Sequence, residues 1–397
     1  MTSTRERLVE INRRNLGHAE HGTIDQADEV GTVAATNYVN PDRFQAEVDR
    51  IFKRLPLLMA MSAELPDAGC YKALHAVGVP VLLVRNDDGD VQAFVNSCRH
   101  RGAPVVPDGA GSARRFTCPY HGWSYDRTGA LVGILDRDQF GAFDIDCHGL
   151  VPLPTFERSG LVWASLRPGG GLEADRFLAG FDEVLAHLHL DRAHVVGHNV
   201  VSGPNWKVAY DGYMDFYHLP ILHKDTFGAN FPNKASYDAW GPHLQVSAPD
   251  PRFAKYRDQS AAAWPDHTLV NGILTVFPHV SIARFQAEGD TVFMISQLFP
   301  GDAVGESTTT QIFALAHEPT DVTRAAAVGQ MAFLEHVVRD EDYATGRAVQ
   351  EGLATGAIDR VLFGRNEGGG QRFHQWVDEL LAADDDDLPG LFARSSA

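Results

Sequence analysis

The sequence lacks the long apolar runs that membrane proteins need. No stretch approaches the roughly 18 to 20 consecutive apolar residues that span a bilayer, although apolar residues make up 44% of the 397-residue chain. The first fifteen residues, MTSTRERLVEINRRN, are polar and have no apolar signal core. We therefore expect a cytoplasmic protein with no membrane partner.

Basic residues are also scarce relative to acidic ones. Lys and Arg number 34 against 52 Asp and Glu, so the formal net charge is −18. This acidity argues against nucleic acid as a main partner, because a nucleic-acid surface attracts basic proteins.

Cysteine is rare, with only four in the chain. Cys70 and Cys147 have no metal-binding context, and we predict that both are buried thiols. Cys98 and Cys118 each share a short segment with a histidine. In a reducing compartment such pairs indicate metal ligands before disulfides.

The two Cys-His pairs are Cys98-Arg-His100 and, after seventeen intervening residues, Cys118-Pro-Tyr-His121. Zinc fingers usually pair Cys with Cys and His with His along the sequence. Here each segment supplies one of each, which favours a two-iron cluster with both sulfurs on one iron and both nitrogens on the other. We expect a Rieske [2Fe–2S] centre, with structural zinc as the alternative.

The texture of the sequence changes on either side of a PGGG run at 168–171. Before it, short β-rich runs alternate with turn residues, as at 80–84, 91–95 and 161–166. After it, the pattern predicts helices and several longer strands. The prediction is an α+β protein: a small all-β domain at 46–167, and a second domain of residues 1–45 and 168–397 with an antiparallel sheet flanked by helices. The predicted elements of the second domain are helices at 173–188, 205–219 and 321–353, strands at 194–203, 273–277, 281–285, 291–299 and 308–317, and irregular chain at 224–268.

The stretch DFYHLPILH, residues 215 to 223, carries a second group of ligand-type residues. On a helix Asp211, Asp215 and His218 would share one face. His223 would point away on an unbroken helix, but Pro220 disfavours helical geometry before it and could bring the two histidines together.

Two neutral imidazoles and one carboxylate form the facial triad of non-haem Fe(II) oxygenases, which leaves positions open for O₂ and substrate. His218 and His223 are the predicted imidazoles. Asp215 is one candidate for the carboxylate, although its closeness to His218 argues against it.

The segments CRHRG and CPYHGWSYD resemble the Rieske loops of the Rieske non-haem iron oxygenase α subunits, the ring-hydroxylating oxygenases. With DFYHLPILH included, the resemblance covers nearly the whole chain. It implies a helix-grip-like catalytic domain and places the third iron ligand at Asp342. Asp340 and Glu341 are adjacent on a helix, so only one of them could face the iron.

The resemblance gives Asp215 a different role from the metal. It implies that Asp215 hydrogen-bonds His100 or His121 of a neighbouring subunit and carries the electron path. This in turn implies a head-to-tail homotrimer, and the presence of a β subunit stays open. Many family members have Glu-Asn where this chain has Tyr210-Asp211. Asp211 is therefore a candidate support for the iron site or the electron bridge.

The expected function is a terminal oxygenase component. The chain has no G-x-G-x-x-G after a strand and no plant-type cluster motif. Electrons would come from a separate NAD(P)H-dependent reductase, directly or through a ferredoxin, and Arg99, Arg101 and Arg114 could form part of the docking surface. O₂ would hydroxylate an aromatic or other apolar small molecule in a pocket that includes Phe227, Phe231, Phe277 and Phe285.

Two alternatives stay open on the sequence alone. The first is a Rieske-type N- or O-demethylating monooxygenase, which uses the same metals. The second belongs to another class: a Rieske electron-transfer protein without oxygenase activity. It leaves His218, His223 and Asp342 unexplained.

Overall fold

A computed structural model describes residues 3–393 of the chain. The chain forms two compact units. We call residues 52–174 the small unit and the remainder the large unit. The boundaries predicted from the sequence, 46 and 167, each lie a few residues before those of the small unit. None of the described helices is long and apolar enough to cross a bilayer.

The described residues form helices and many strands, and three π-helical turns occur among them at Val48–Phe52, Lys224–Gly228 and Val337–Asp342. The α-helices are α1 (Thr4–His21), α2 (Thr36–Val39), α3 (Pro41–Glu47), α4 (Arg137–Phe140), α5 (Ala174–Leu178), α6 (Phe181–Ala186), α7 (Trp206–Met214), α8 (Leu219–Leu222), α9 (Asp266–Leu269), α10 (Asp321–His336), α11 (Tyr343–Ala354), α12 (Gly368–Ala382) and α13 (Leu388–Ala393). The strands are β1 (Gly31–Ala34), β2 (Pro56–Met61), β3 (Cys70–Ala76), β4 (Val79–Arg85), β5 (Val91–Val95), β6 (Gly109–Ser112), β7 (Phe116–Thr117), β8 (Ser124–Tyr125), β9 (Leu131–Gly133), β10 (Pro152–Leu153), β11 (Thr155–Arg158), β12 (Leu161–Ser165), β13 (His194–Gly203), β14 (Ser236–Trp240), β15 (His243–Ser247), β16 (Ile273–Val276), β17 (Val280–Ala287), β18 (Asp290–Pro300), β19 (Ser307–Leu315) and β20 (Arg360–Phe363).

The small unit is built almost entirely from antiparallel strands. Its sheets have the orders β10-β5-β4-β3-β6, β11-β12-β2 and β7-β8-β9. Phe94, Trp123 and Tyr125 pack in one buried cluster together with Cys98 and Cys118. The two cysteines of the predicted metal site therefore belong to the hydrophobic core of this unit.

The large unit is organised around a seven-stranded antiparallel sheet of order β13-β19-β18-β17-β16-β15-β14. Helix α10 contacts β13, β17 and β19, and its residues Ala327 and Leu334 are buried with Val292, Phe313 and Leu315 of the sheet. Burying an apolar helix stripe on an apolar sheet face is the main source of stability in such a layer. The α+β class is confirmed.

Several elements differ from the prediction. The segment 224–268, predicted to be irregular, contains β14 and β15. These strands were not predicted because the buried positions of β15 include the polar residues His243 and Gln245, which hide the strand pattern. The helix predicted at 173–188 is split into α5 and α6. Cys147 is exposed and bonds Asp144, and Cys70 is half-buried, so the prediction of two buried thiols was wrong.

Candidate metal centres

Two similar turns of the small unit present the first group of ligand-type residues, Cys98, His100, Cys118 and His121, which we call the four-residue site. The Cys98 turn lies between β5 and β6, and the Cys118 turn lies between β7 and β8. In each turn a glycine N–H donates to the cysteine carbonyl, at 2.8 Å from Gly102 and 3.1 Å from Gly122. Both glycines have positive φ, 83° and 73°, which other residues adopt only at a cost.

The two imidazoles of this site lie against each other in an aromatic surround. The ring centroids of His100 and His121 are 4.6 Å apart, and His100 stacks on Trp123 at 5.1 Å. The Nδ1 atoms of both histidines are buried and have no hydrogen-bond partner. Burial lowers the pKa of His100, and neighbouring His121 and Arg101 lower it further, which favours the neutral imidazole that metals bind.

A tyrosine that the sequence reasoning missed supports the cysteine side. The Tyr125 hydroxyl lies 3.3 Å from Cys98 Sγ and accepts the Arg99 N–H at 2.9 Å. Burial raises the pKa of the Cys98 thiol although this hydroxyl lowers it. Two sulfurs in the core and two orphaned imidazole nitrogens are the donor set that a [2Fe–2S] cluster needs, so these residues fit the group. The signal in the sequence that could have found it is Tyr125 itself, the second tyrosine of CPYHGWSYD.

The second group lies in the large unit, where local breaks in the helix position the histidines. Helix α7 ends at Met214, and Asp215 has an extended backbone with φ −101° and ψ 111°. The single-turn helix α8 then runs between His218, its N-cap, and His223, its C-cap. The helix predicted over 205–219 is therefore confirmed from Trp206 to Met214 but ends before 219. The prediction that Asp211, Asp215 and His218 share one helical face was wrong.

Pro220 sits in the first turn of α8. A proline there removes no helical hydrogen bond, because the first N–H groups have no partner within a helix. The chain thus turns between the histidines, and their Nε2 atoms lie 3.2 Å apart. The turn that the sequence placed at Pro220 begins earlier, at Asp215.

Asp342 completes the second group. Its Oδ1 lies 3.1 Å from His223 Nε2 and 3.6 Å from His218 Nε2. One ligand-type atom from each of the three residues lies within 4.8 Å of the others. We call His218, His223 and Asp342 the three-residue site.

Both histidines of the three-residue site are held by a second carboxylate. His218 Nδ1 lies 3.1 Å from Asp215 Oδ2, and His223 Nδ1 lies 2.6 Å from Glu341 Oε2. A carboxylate can only accept, so each Nδ1 carries the proton and each Nε2 lone pair is left for a metal. Burial lowers the pKa of His223, but Asp342 and Glu341 outweigh it and raise it overall. The surplus of carboxylates suits a divalent cation, so the site fits one.

Glu341 reaches the site because the backbone from Val337 to Asp342 is a π-helical turn. This wider turn separates α10 from α11, where the sequence predicted one continuous helix, and such turns often occur at functional sites. Asp340 instead pairs with His336 and Arg339 on the surface. The sequence reasoning did not foresee that Glu341 would support a ligand beside Asp342.

Asp211 lies outside the three-residue site. Its carboxylate accepts from the Tyr38 hydroxyl at 2.8 Å and lies 3.0 Å from His374 Nε2. Tyr38 and His374 come from distant parts of the chain, and no local sequence signal pointed to them.

A cavity of about 1260 Å³ contains all three residues of the second site in its wall. Phe227, Phe231 and Phe285 line this cavity, as the sequence suggested. Phe277 does not line it: the side chain is buried and packs on Phe373 at a centroid distance of 5.7 Å.

Comparison with known families matches both units. Residues 56–156 match the family model of the Rieske [2Fe-2S] domain. Residues 190–383 match that of the ring hydroxylating alpha subunit (catalytic domain). The chain belongs to the Rieske oxygenase α subunits. A Rieske domain binds a [2Fe–2S] cluster, and the catalytic domain of the family binds mononuclear iron.

Relatives of this Rieske oxygenase α subunit fall into two kinds. The glycine betaine monooxygenase oxygenase subunit of Chromohalobacter salexigens is 32% identical over 48% of this chain and 43% of its own length. Benzene 1,2-dioxygenase subunit alpha of Pseudomonas putida is 28% identical over 64% of this chain and 56% of its own length. The chain thus spans about half the length of these relatives. Naphthalene 1,2-dioxygenase from Rhodococcus sp. has a similar fold, with a TM-score of 0.74 at 19% identity over 97% of this chain and all of that one.

Proposed function

We propose that this protein is the terminal component of an oxygenase, which uses O₂ and externally supplied electrons to hydroxylate a small molecule. The observation that carries the proposal is the convergence of His218 Nε2, His223 Nε2 and Asp342 Oδ1 on one wall of a large cavity. The same chain carries the four-residue site in a Rieske domain. An electron carrier alone has no use for the three-residue site.

The residues divide the work as follows. When bound, the [2Fe–2S] cluster supplies single electrons, and a mononuclear Fe(II) supplies the activation of O₂. Asp215 accepts a hydrogen bond from Nδ1–H of His218, and Glu341 accepts one from Nδ1–H of His223. These bonds fix the orientation of the two imidazoles. His218, His223 and Asp342 would hold the metal through three ligands, which would leave coordination positions for O₂ and substrate.

Asp215 is the proposed electron bridge between subunits. Its side chain is 28% exposed; Oδ2 bonds His218 Nδ1 and Oδ1 accepts the Tyr217 N–H at 2.5 Å. Each oxygen can accept a second hydrogen bond, which leaves capacity for an outside partner. We place His100 or His121 of a neighbouring subunit there, in a head-to-tail homotrimer. A heterologous interface of this kind closes into a ring.

The electron donor is a separate NAD(P)H-dependent reductase, with or without a ferredoxin. Arg99, Arg101 and Arg114 are exposed in the small unit, and basic side chains near a cluster suit an acidic redox partner. The cytoplasmic location and the presence of a β subunit stay predictions.

Two substrate classes fit the cavity. Phe227, Phe231 and Phe285 give it aromatic walls, which suit an aromatic or other apolar molecule. One relative is named for benzene and another for glycine betaine. The second favours the alternative of N- or O-demethylation, in which the product includes formaldehyde.

Iron content tests the assignment most directly. An oxygenase of this design holds about three irons per chain, and a Rieske electron carrier holds about two. Two irons with a full Rieske spectrum would contradict the oxygenase proposal, and a colourless zinc protein would contradict both. A substrate panel with a surrogate reductase, read as NADH consumption coupled to product, then separates hydroxylation from demethylation by formaldehyde release.

A further inference from the structure

One arginine in the wall of the cavity has no acid beside it. Arg284 of β17 lines the cavity and is half-buried. Its guanidinium donates to the backbone oxygen of Val270. Among residues 3–393 no carboxylate pairs with it. Burial lowers the pKa of this arginine, and no acid opposes the effect. Charges taken out of water are normally paired, so an unpaired one suggests a ligand.

The other arginine of the cavity wall differs in both respects. Arg252 pairs with Asp250, at 2.7 Å between Nη2 and Oδ2, and its side chain is 86% exposed. Its guanidinium is solvated and already paired with an acid. Of the two arginines that line the cavity in the described part of the chain, Arg252 has an acidic partner and Arg284 does not.

The strand pairing explains how Arg284 meets the cavity. Strand β16 pairs only with residues 280–282 of β17, so the edge of β17 beyond them has no neighbouring strand. The segment of Val270, Asn271 and Gly272, which precedes β16, lines the cavity with Arg284. Asn271 Oδ1 is buried there without a hydrogen-bond partner. This part of the cavity wall is polar, and some of its hydrogen-bonding groups have no partner in the protein.

The neighbours of Arg284 along β17 point to the opposite face of the sheet, because side chains alternate along a strand, and they make the wall on that face apolar. Ala283 and Phe285 pack with the sheet-facing residues of α10, Leu334 among them, and both line the cavity. A molecule in the cavity would meet apolar side chains and the three-residue site on one part of its surface. Past the unpaired edge of β17 it would meet the guanidinium of Arg284.

We propose that Arg284 binds a carboxylate and that the substrate is a small organic acid whose carboxylate lies on Arg284 while its apolar part faces the three-residue site. A guanidinium presents a planar fork that matches a carboxylate with two parallel hydrogen bonds. The location of the reacting part rests on the proposed function. Recognition of the carboxylate by Arg284 does not, because it requires only the cavity.

The test uses matched acids and amides on the iron-loaded protein. The probes are benzoate, phenylacetate and 3-phenylpropanoate, each beside its primary amide, with binding measured by isothermal titration calorimetry. The variants are Arg284→Gln, which removes the charge, and Arg284→Lys, which keeps it without the fork. Arg252→Gln is the matched control, since it removes a cavity arginine that already has a partner. Thermal unfolding and the visible cluster spectrum check that each variant is folded.

We expect at least one acid to bind the unsubstituted protein about 10- to 100-fold more tightly than its amide, the range of a desolvated charge-assisted pair. Arg284→Gln should abolish this preference, Arg284→Lys should keep part of it, and Arg252→Gln should leave it unchanged. Equal binding of acids and amides, or no binding of any acid, overturns the proposal. So does a preference that survives Arg284→Gln, since the carboxylate would then sit elsewhere, for example on the metal.

The outcome is independent of the proposed function. Acid binding through Arg284 without any oxygen consumption would keep the carboxylate site and contradict the oxygenase. Oxygen-dependent turnover with no acid preference would do the reverse. The comparison of acids with amides in the unsubstituted protein also stands if Arg284→Gln does not fold.

Discussion

The two candidate metal centres are assembled in different ways. The four-residue site comes from two like turns between residues 98 and 121, each closed by its own glycine. The three-residue site joins a segment around His218 to Asp342, far along the chain. Short-range geometry therefore builds the first site, and packing of distant segments builds the second.

The imidazoles also differ in which nitrogen is left free. In the four-residue site the Nδ1 atoms of His100 and His121 are buried without partners. In the three-residue site Nδ1 of His218 and of His223 is bound to a carboxylate, and the Nε2 atoms face each other. The first site is thus prepared to bind metal through Nδ1 and the second through Nε2. Carboxylates orient both histidines of the second site, whereas the Nδ1 atoms of the first have no acceptor.

The largest expected effect separates the two centres. His218→Ala removes a ligand of the three-residue site only, so iron should fall from about three to about two per chain while the visible Rieske spectrum persists. Turnover should fall by more than the roughly 100-fold typical of losing an orienting partner. Cys98→Ser is the reciprocal variant, and it should remove the cluster spectrum. Surviving turnover in His218→Ala would refute the three-residue assignment.

A histidine buried in the large unit should make its stability depend on pH. His243 donates from Nε2 to the Phe177 carbonyl at 2.7 Å, and its Nδ1 accepts the Phe277 N–H at 3.2 Å. Burial lowers its pKa from 6.5 to about 4, an effect that the Phe177 bond only partly opposes. The unfolded chain therefore takes up a proton first as the pH falls below about 6.5. The contribution of neutral His243 to the free energy of unfolding is complete above that pH. It is lost progressively down to about pH 4, by up to about 3 kcal/mol.

Urea unfolding at pH 7 and pH 4.5 measures this loss. The control is His243→Gln, which cannot ionise in this range and should lose less stability between the two pH values. Equal losses in the variant and the unsubstituted protein would show that His243 is not responsible.

Removing an orienting carboxylate should weaken the three-residue site without emptying it. Glu341→Ala deletes the carboxylate that accepts from His223 Nδ1. The Thr226 hydroxyl also donates to this carboxylate, at 3.0 Å. Fe(II) affinity should fall about 10- to 100-fold, measured by competition with a chelator, and Glu341→Gln should lose less because its amide oxygen still accepts. Asp340→Asn is the matched control, since that neighbour lies on the surface. A similar loss in the control would argue against a specific role.

The smallest expected effect concerns the cluster. Tyr125→Phe removes the hydroxyl beside Cys98 Sγ. Hydrogen bonds to cluster sulfurs favour the reduced, more negative state. The reduction potential should fall by roughly 40 mV if the bond contributes about 1 kcal/mol, as measured by redox titration. Tyr71→Phe, whose ring packs on Phe116, should leave the potential unchanged.

The features that the sequence predicted correctly are those that depend on residues close together in the chain. The small all-β domain, five of the seven strands of the central sheet and the Cys-His pairs could be recognised, because turn residues and strand periodicity act over short distances. Strands β14 and β15 were missed because buried polar side chains obscure their pattern. The end of α7 was missed because Asp215 takes up an extended backbone for its bond to His218, a preference that no helical periodicity reveals.

By itself the sequence determined the residue types and the local turns: two Cys-His pairs, two histidines around Pro220, and an acidic segment near Asp342. Only the tertiary structure decided which acids meet which histidines. The π-helical turn before Tyr343 lets Glu341 and Asp342 share one site, and the gap beyond β16 exposes Arg284 to the cavity. The physical reason is that local preferences act over a few residues, whereas these contacts arise only when the helices close on the sheet.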